Sequence, residues 1–140
     1  MLNIIKDTIN TIVVTLTENA TTFNPIYLFK FTNQQSNVDY YFISTDTSSH
    51  IERYNKFLLT EKTNANTLTG EVTLGNEGFY NYVVYQTNLP NTSGLTSASE
   101  AVANIVKSVE VGLVWVVPSA VVNVTYEPSS NTSIVYQYQN

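Results

Sequence analysis

Most apolar runs in this chain alternate with a period of two, the repeat of a half-buried strand. In "NTIVVTLTE", Ile12, Val14 and Leu16 fall on one side and Val13, Thr15 and Thr17 on the other. "PIYLFKFT" sets Tyr27, Phe29 and Phe31 against Ile26, Leu28 and Lys30. "VDYYFIST" sets Tyr40 and Phe42 against Tyr41 and Ile43, and "NKFLLTE" aligns Phe57 with Leu59. "GEVTL" is a short run ending at Gly75. "FYNYVVYQT" sets Tyr80, Tyr82 and Val84 against Phe79, Val83 and Tyr85. "SVEVGLVWVV" aligns Val109, Val111, Leu113, Trp115 and Val117, which predicts a core position for Trp115. Turn-forming stretches separate the runs: Asn24-Pro25, "TNQQSN", "TDTSSH", "TNANT", Gly75-Asn76 and "LPNTSG". Thr, Val, Ile and Tyr suit a pleated surface, so the chain reads as all-β with about seven strands.

Two local signals refine this reading. Ser97 precedes Glu100 by three residues, the spacing of a capping box, ahead of Ala101, Val102 and Ile105. A short helix there and a loop into the next strand are both open. Leu74, Gly78, Tyr80 and Tyr82 spell L-x-x-x-G-x-Y-x-Y. In immunoglobulin-type sandwiches a Tyr near the start of strand F bonds backbone at the E–F corner, two residues before a cysteine. Tyr80 matches that tyrosine and Tyr82 takes the cysteine's place. The expected fold is therefore an immunoglobulin-like antiparallel β sandwich over residues 1–117, with Gly78 and Tyr80 forming the corner. Residues 118–140 are expected to be a C-terminal β extension, a hairpin or an arm.

At 140 residues the chain suits one domain that buries roughly 68% of its unfolded surface. It has no cysteine, which excludes a thiol nucleophile and the usual structural zinc site. Eleven acidic residues oppose six cations, for a net charge of −5. Lys6, Lys30, Arg53, Lys56, Lys62 and Lys107 are scattered, whereas nucleic-acid binding needs a concentrated basic face. No direct nucleic-acid contact is expected. "VGLVWVV" is far shorter than a membrane span, and the start of the chain lacks a secretory pattern, so a soluble protein made in a cytosol is expected.

Catalytic chemistry finds no constellation. His50 is the single histidine, in the polar loop "TDTSSHIER", where a solvated role is expected. Asp39, Asp46, Glu52, Glu61, Glu71 and Glu77 show no selective spacing and read mostly as solvent-side strand and turn charges. Neither a calcium-loop nor a P-loop pattern is present. The expectation is a non-enzymatic protein with no cofactor and no metal.

Four blocks carry a family resemblance. They are "NTIVVTLTENATTFNPIYLFKFTN", "DYYFISTDTSSHIERYNKFLLTE", "GEVTLGNEGFYNYVVYQ" and "VEVGLVWV". With these, residues 3–117 resemble small β-rich virion proteins of crAss-like and related tailed bacteriophages. The resemblance implies a virion structural protein, assembled in the bacterial host cytoplasm and multimeric in the particle. The implied partners are the major capsid protein and neighbouring virion subunits, in an auxiliary role on the capsid lattice. A collar, tail or fibre position is the alternative, and an immunoglobulin-like carbohydrate-binding module is a further one. The extension lies outside the resemblance. Its runs "AVVNVTY" and "TSIVYQYQ" are too small for a core of their own, so Val124, Tyr126, Ile134 and Tyr136 are expected to contact another subunit.

Overall fold

The computed structural model describes residues 1–23 and 25–118. All seven expected runs are strands, and an eighth precedes them. In chain order they are β1 (Leu2–Ile5), β2 (Ile9–Val14), β3 (Tyr27–Asn33), β4 (Asp39–Ile43), β5 (Asn55–Glu61), β6 (Glu71–Val72), β7 (Gly78–Thr87) and β8 (Ile105–Val117). The protein is mostly β. One sheet has the order β1-β8-β7-β3-β4 and the other β2-β5-β6. The pairing is mixed rather than wholly antiparallel, because β1 runs parallel to β8 and β6 parallel to β5. The expected subunit contacts Val124, Tyr126, Ile134 and Tyr136 lie outside the described residues.

The alternation seen in the sequence explains how the sheets meet. Ile12, Val14, Phe57 and Leu59 point inward from one sheet. Phe29, Phe31, Phe42, Tyr80 and Val84 point inward from the other. Phe57 closes edge-on against Phe29, with ring centroids 4.9 Å apart, and against Tyr27 at 6.1 Å. Phe29 stacks on its cross-strand neighbour Phe42 at 4.8 Å. Edge-to-face and offset rings suit the aromatic quadrupole, so these contacts fix orientation as well as burying area. The segment from Thr67 to Gly70 joins the layers: Ile43 N–H donates to Thr67 O, Gly70 N–H to Ile43 O, and Thr60 N–H to Gly70 O.

The last strand departs from its expected faces. Val84 pairs with Glu110 and Tyr85 with Ser108, so Val109 is an extra residue on β8. Such a β-bulge turns two successive residues to one side and reverses the alternation beyond it. Val109 is buried, and past it Val114 and Val116 are the core residues. Val111, Leu113 and Trp115 consequently face outward, at 68%, 43% and 36% exposure. The core position expected for Trp115 is therefore corrected.

The segment after β7 contains a 3-10 helix, Ala98–Asn104, rather than an α-helix. The Ser97 side chain makes no capping bond; Glu100 instead reaches back to the N–H and hydroxyl of Thr96. Ala98 and Ala101 are buried at a spacing of three, which is one 3-10 turn, and Val102 is left exposed.

Tyr82 and Gly112 are opposite each other on β7 and β8. The Tyr82 ring lies over the glycine, and its hydroxyl donates to Glu110 Oε2 at 2.5 Å. Burial first, then Glu110, pushes the Tyr82 hydroxyl pKa upward, so it remains a donor. A Cβ on Gly112 would stand 2.6 Å from Tyr82 Cε1. Gly112→Ala should thus lose about 1–3 kcal/mol of stability through overpacking. Gly94→Ala, where an added Cβ meets nothing within 4 Å, should be nearly neutral. Urea denaturation of both variants checks the contrast.

Candidate functional site

The outer face of the five-stranded sheet carries apolar side chains in both halves, interrupted by Lys30, Thr32 and Asn81, and the described residues cover one half. Over one half, Leu28 and Ile43 pack with Ala98 and Ala101, joined by Tyr41, Tyr85, Leu89, Leu95 and Ile105. Over the other half nothing among the described residues lies across Val111, Leu113, Trp115 and the 46%-exposed Phe79. The β7–β8 register sets these side chains in rows. Phe79 is opposite Trp115, Asn81 opposite Leu113, and Val83 opposite Val111. Asn3 of β1 flanks Trp115 on its other side. The Phe79 and Trp115 rings are 4.4 Å apart at 54°, which makes a wedge rather than a flat platform. Gln34 Nε2 donates to Asn81 Oδ1 at 3.0 Å and borders the patch. Single exposed apolar residues are ordinary, whereas a contiguous group marks a contact surface.

The two corner residues stand beside this face. Gly78 opens β7 with φ +123°, a conformation that side chains rarely adopt. Tyr80 is fully buried, and its hydroxyl donates to Asn76 O, four residues upstream, at 2.7 Å. Both residues hold the entry to β7, and neither presents a polar group to solvent for chemistry.

The loop between β4 and β5 holds the other polar candidates. His50 is exposed, with Nδ1 3.0 Å from the Ser49 hydroxyl. Asp46 does not face it. Its Oδ1 accepts from Ser48 N at 2.9 Å and Lys56 N at 3.1 Å, and its Oδ2 from Asn55 Nδ2 at 2.6 Å. Burial pushes the Asp46 carboxyl up, but these bonds outweigh it and hold the pKa below the usual value. Asp46 therefore secures the loop through three accepted bonds. A cavity of about 290 Å³ beside it is lined by Tyr27, Ile43, Phe57, Leu68 and Asn91, among others.

Glu61 is the exception to the mostly solvent-side reading of the carboxylates. It is 2% exposed, and it accepts from Asp7 N and Leu74 N, both at 2.9 Å. Its parity with Phe57 and Leu59 was the signal for burial. Among the described residues no group of three or more His, Asp or Glu could hold a metal ion. No helix among them is long and apolar enough to cross a membrane. Comparison with protein-family models, curated proteins and solved structures found no match.

Two outcomes follow from this geometry. Tyr80→Phe should cost about 0.5–1.5 kcal/mol in chemical denaturation, while Tyr54→Phe at the loop surface should cost much less. Asp46 has a lowered folded-state pKa, so its contribution is present above its unfolded value and fades as pH falls through the folded one. Asp46→Asn should be less stable than the parent at pH 7, and the gap should close below about pH 4. A gap constant across that range would separate the loop's stability from the carboxylate's charge.

Proposed function

We propose that this chain is a non-enzymatic structural component of a virus particle, an auxiliary protein bound to the capsid lattice of a tailed bacteriophage. The observation that carries the proposal is the apolar group around Phe79 and Trp115 on the outer face, which no described residue covers. An assembly subunit needs such a surface, and the Gln34–Asn81 bond borders it. The resemblance of residues 3–117 to small phage virion proteins supplies the particle. A net charge of −5 suits the outside of a DNA-filled shell better than its lining.

The finer fold reading belongs to the same proposal. On it, β3, β7 and β8 correspond to strands C, F and G of an immunoglobulin-like sandwich, with β4 beside C and β2 paired to β5 as B to E. The Tyr80–Asn76 bond supports the tyrosine-corner part of this reading. The two-residue β6, parallel to β5, departs from the pattern.

The exposed tryptophan also favours a second reading, a carbohydrate-binding module. Its 54° angle to Phe79 leaves one ring rather than two for a sugar to stack on.

Purified particles, analysed by mass spectrometry with labelling of exposed lysines, test the first reading. The chain should be present at a stoichiometry comparable to the major capsid protein and be labelled from outside. A single ring's worth of copies would place it at the collar or tail, and absence from particles would refute the reading. Trp115→Ala should fold yet join particles poorly. Trp115 is the chain's one tryptophan, so its emission should shift to the blue when the capsid subunit covers it. A blue shift with soluble glycans instead would favour the module.

A further inference from the structure

The four sheet edges are not equally protected. β1 has four residues and leads directly into Lys6. β4 begins at the charged Asp39, and its Ile43 end is paired to Thr67 and Gly70. β6 is two residues long. Short length, charge and a covering loop are the usual means of blunting an edge. Among the described residues, the free edge of β2 has none of them. It spans six residues, and no charged residue occurs from Thr8 to Thr17.

The hydrogen bonds show which groups β2 presents. Glu61 N–H donates to Thr8 O, so residues 8 and 61 form a hydrogen-bonded antiparallel pair. Alternation then directs the main chain of Asn10, Ile12 and Val14 toward β5, and that of Ile9, Thr11 and Val13 away from it. Thr60, opposite Ile9, agrees: its N–H donates to Gly70 O on the far side of β5. Among the described residues, the N–H and C=O groups of Ile9, Thr11 and Val13 have no backbone partner. Their side chains are exposed as well, Ile9 at 69% and Val13 at 54%.

We infer that the β2 edge pairs with the β2 edge of a second copy of this chain, antiparallel and two-fold symmetric about Thr11. The pattern Ile9-x-Thr11-x-Val13 is self-complementary under that operation. Ile9 lies opposite the partner's Val13, and Thr11 opposite the partner's Thr11. Each pair exchanges both of its backbone bonds, and the three together use every open group on the edge. β-Branched and Thr–Thr cross-strand pairs are favourable. Leu58, 45% exposed and opposite Thr11 within the sheet, extends the apolar surface on each side. Because the edge is uncharged, two chains of net charge −5 can meet there without apposing like charges. An isologous contact of this kind closes as a dimer. The inference rests on backbone geometry and stands apart from the particle reading.

Sedimentation velocity of the full chain over a range of concentrations tests it. A contact this small should give a Kd between about 10 µM and 1 mM. Thr11→Pro removes only an outward N–H, which an edge strand tolerates, so the variant should fold and associate at least about tenfold more weakly. Thr11→Lys and Thr11→Glu each set like charges face to face across the axis and should be monomeric alone. Their equimolar mixture should regain the dimer, even if Thr11→Pro fails to fold. A chain ending at Pro118 should associate like the parent. The inference is overturned by a parent that stays monomeric at about 1 mM, or by a mixture that does not associate. It is equally overturned if Thr11→Pro folds and associates normally, or if only the shortened chain associates, which would give the edge to the C-terminal segment.

Discussion

A buried carboxylate holds the topology. Between β1 and β2 the chain reverses through Lys6, Asp7 and Thr8, with Asp7 at φ +60°. That turn sends β1 to one sheet and β2 to the other. Glu61, at the end of β5, accepts the Asp7 N–H with one oxygen and the Leu74 N–H with the other. Asn10 adds bonds to both backbone groups of Ile5. A carboxylate with so little exposure persists only because its oxygens are occupied. It thereby links the turn, the end of β5 and the approach to β7. Were the turn to open differently, β1 could lie beside β2 instead of β8. The edge of β2 would then be filled and the end of β8 uncovered.

The second determinant is the extra residue at Val109. It keeps Val109 in the core and brings Glu110 within reach of the Tyr82 hydroxyl. Every later side chain of β8 is then offset. Val114 and Val116 complete the core over β1 and β7, and Trp115 is presented outward. The same bulge therefore turns the apolar rows of Val111, Leu113 and Trp115 outward. The half of the face beneath the 3-10 segment shows how the chain treats such a surface when it can: it lays Ala98 and Ala101 across Leu28 and Ile43.

What could be read from the sequence was the local part. Alternation in "PIYLFKFT", "NKFLLTE" and "FYNYVVYQT" grouped Phe29 with Phe31, Phe57 with Leu59, and Tyr80 with Tyr82 and Val84, and these groups are buried together because each strand keeps one phase along its length. It misplaced Trp115 because a bulge arises from pairing with β7, and its own residues, Ser108-Val109-Glu110, carry no mark of it. β1 was missed because four residues are too few to show a period, and its parallel partner lies more than a hundred residues away. The burial of Glu61 was legible only through its phase with Phe57 and Leu59, against what its charge suggests. The candidate surface was only partly legible. Its residues were visible as apolar, but their exposure depends on the bulge and on where the 3-10 segment stops.

The two surfaces that the described residues leave open are on different sheets: the Phe79–Trp115 rows on one and the β2 edge on the other. Each is modest in area, and neither alone suggests tight binding. On the proposed reading that is an advantage for a subunit of a repeating lattice. A dimer through β2 would carry two copies of the apolar rows, so binding the first row to a capsid subunit raises the local concentration of the second. Weak, correctable contacts could then combine into firm attachment wherever lattice spacing matches the separation of the two rows. Affinity for an isolated capsid subunit would stay low, so unassembled protein would not be sequestered. Geometry of the array, rather than strength of any single contact, would decide where the protein binds.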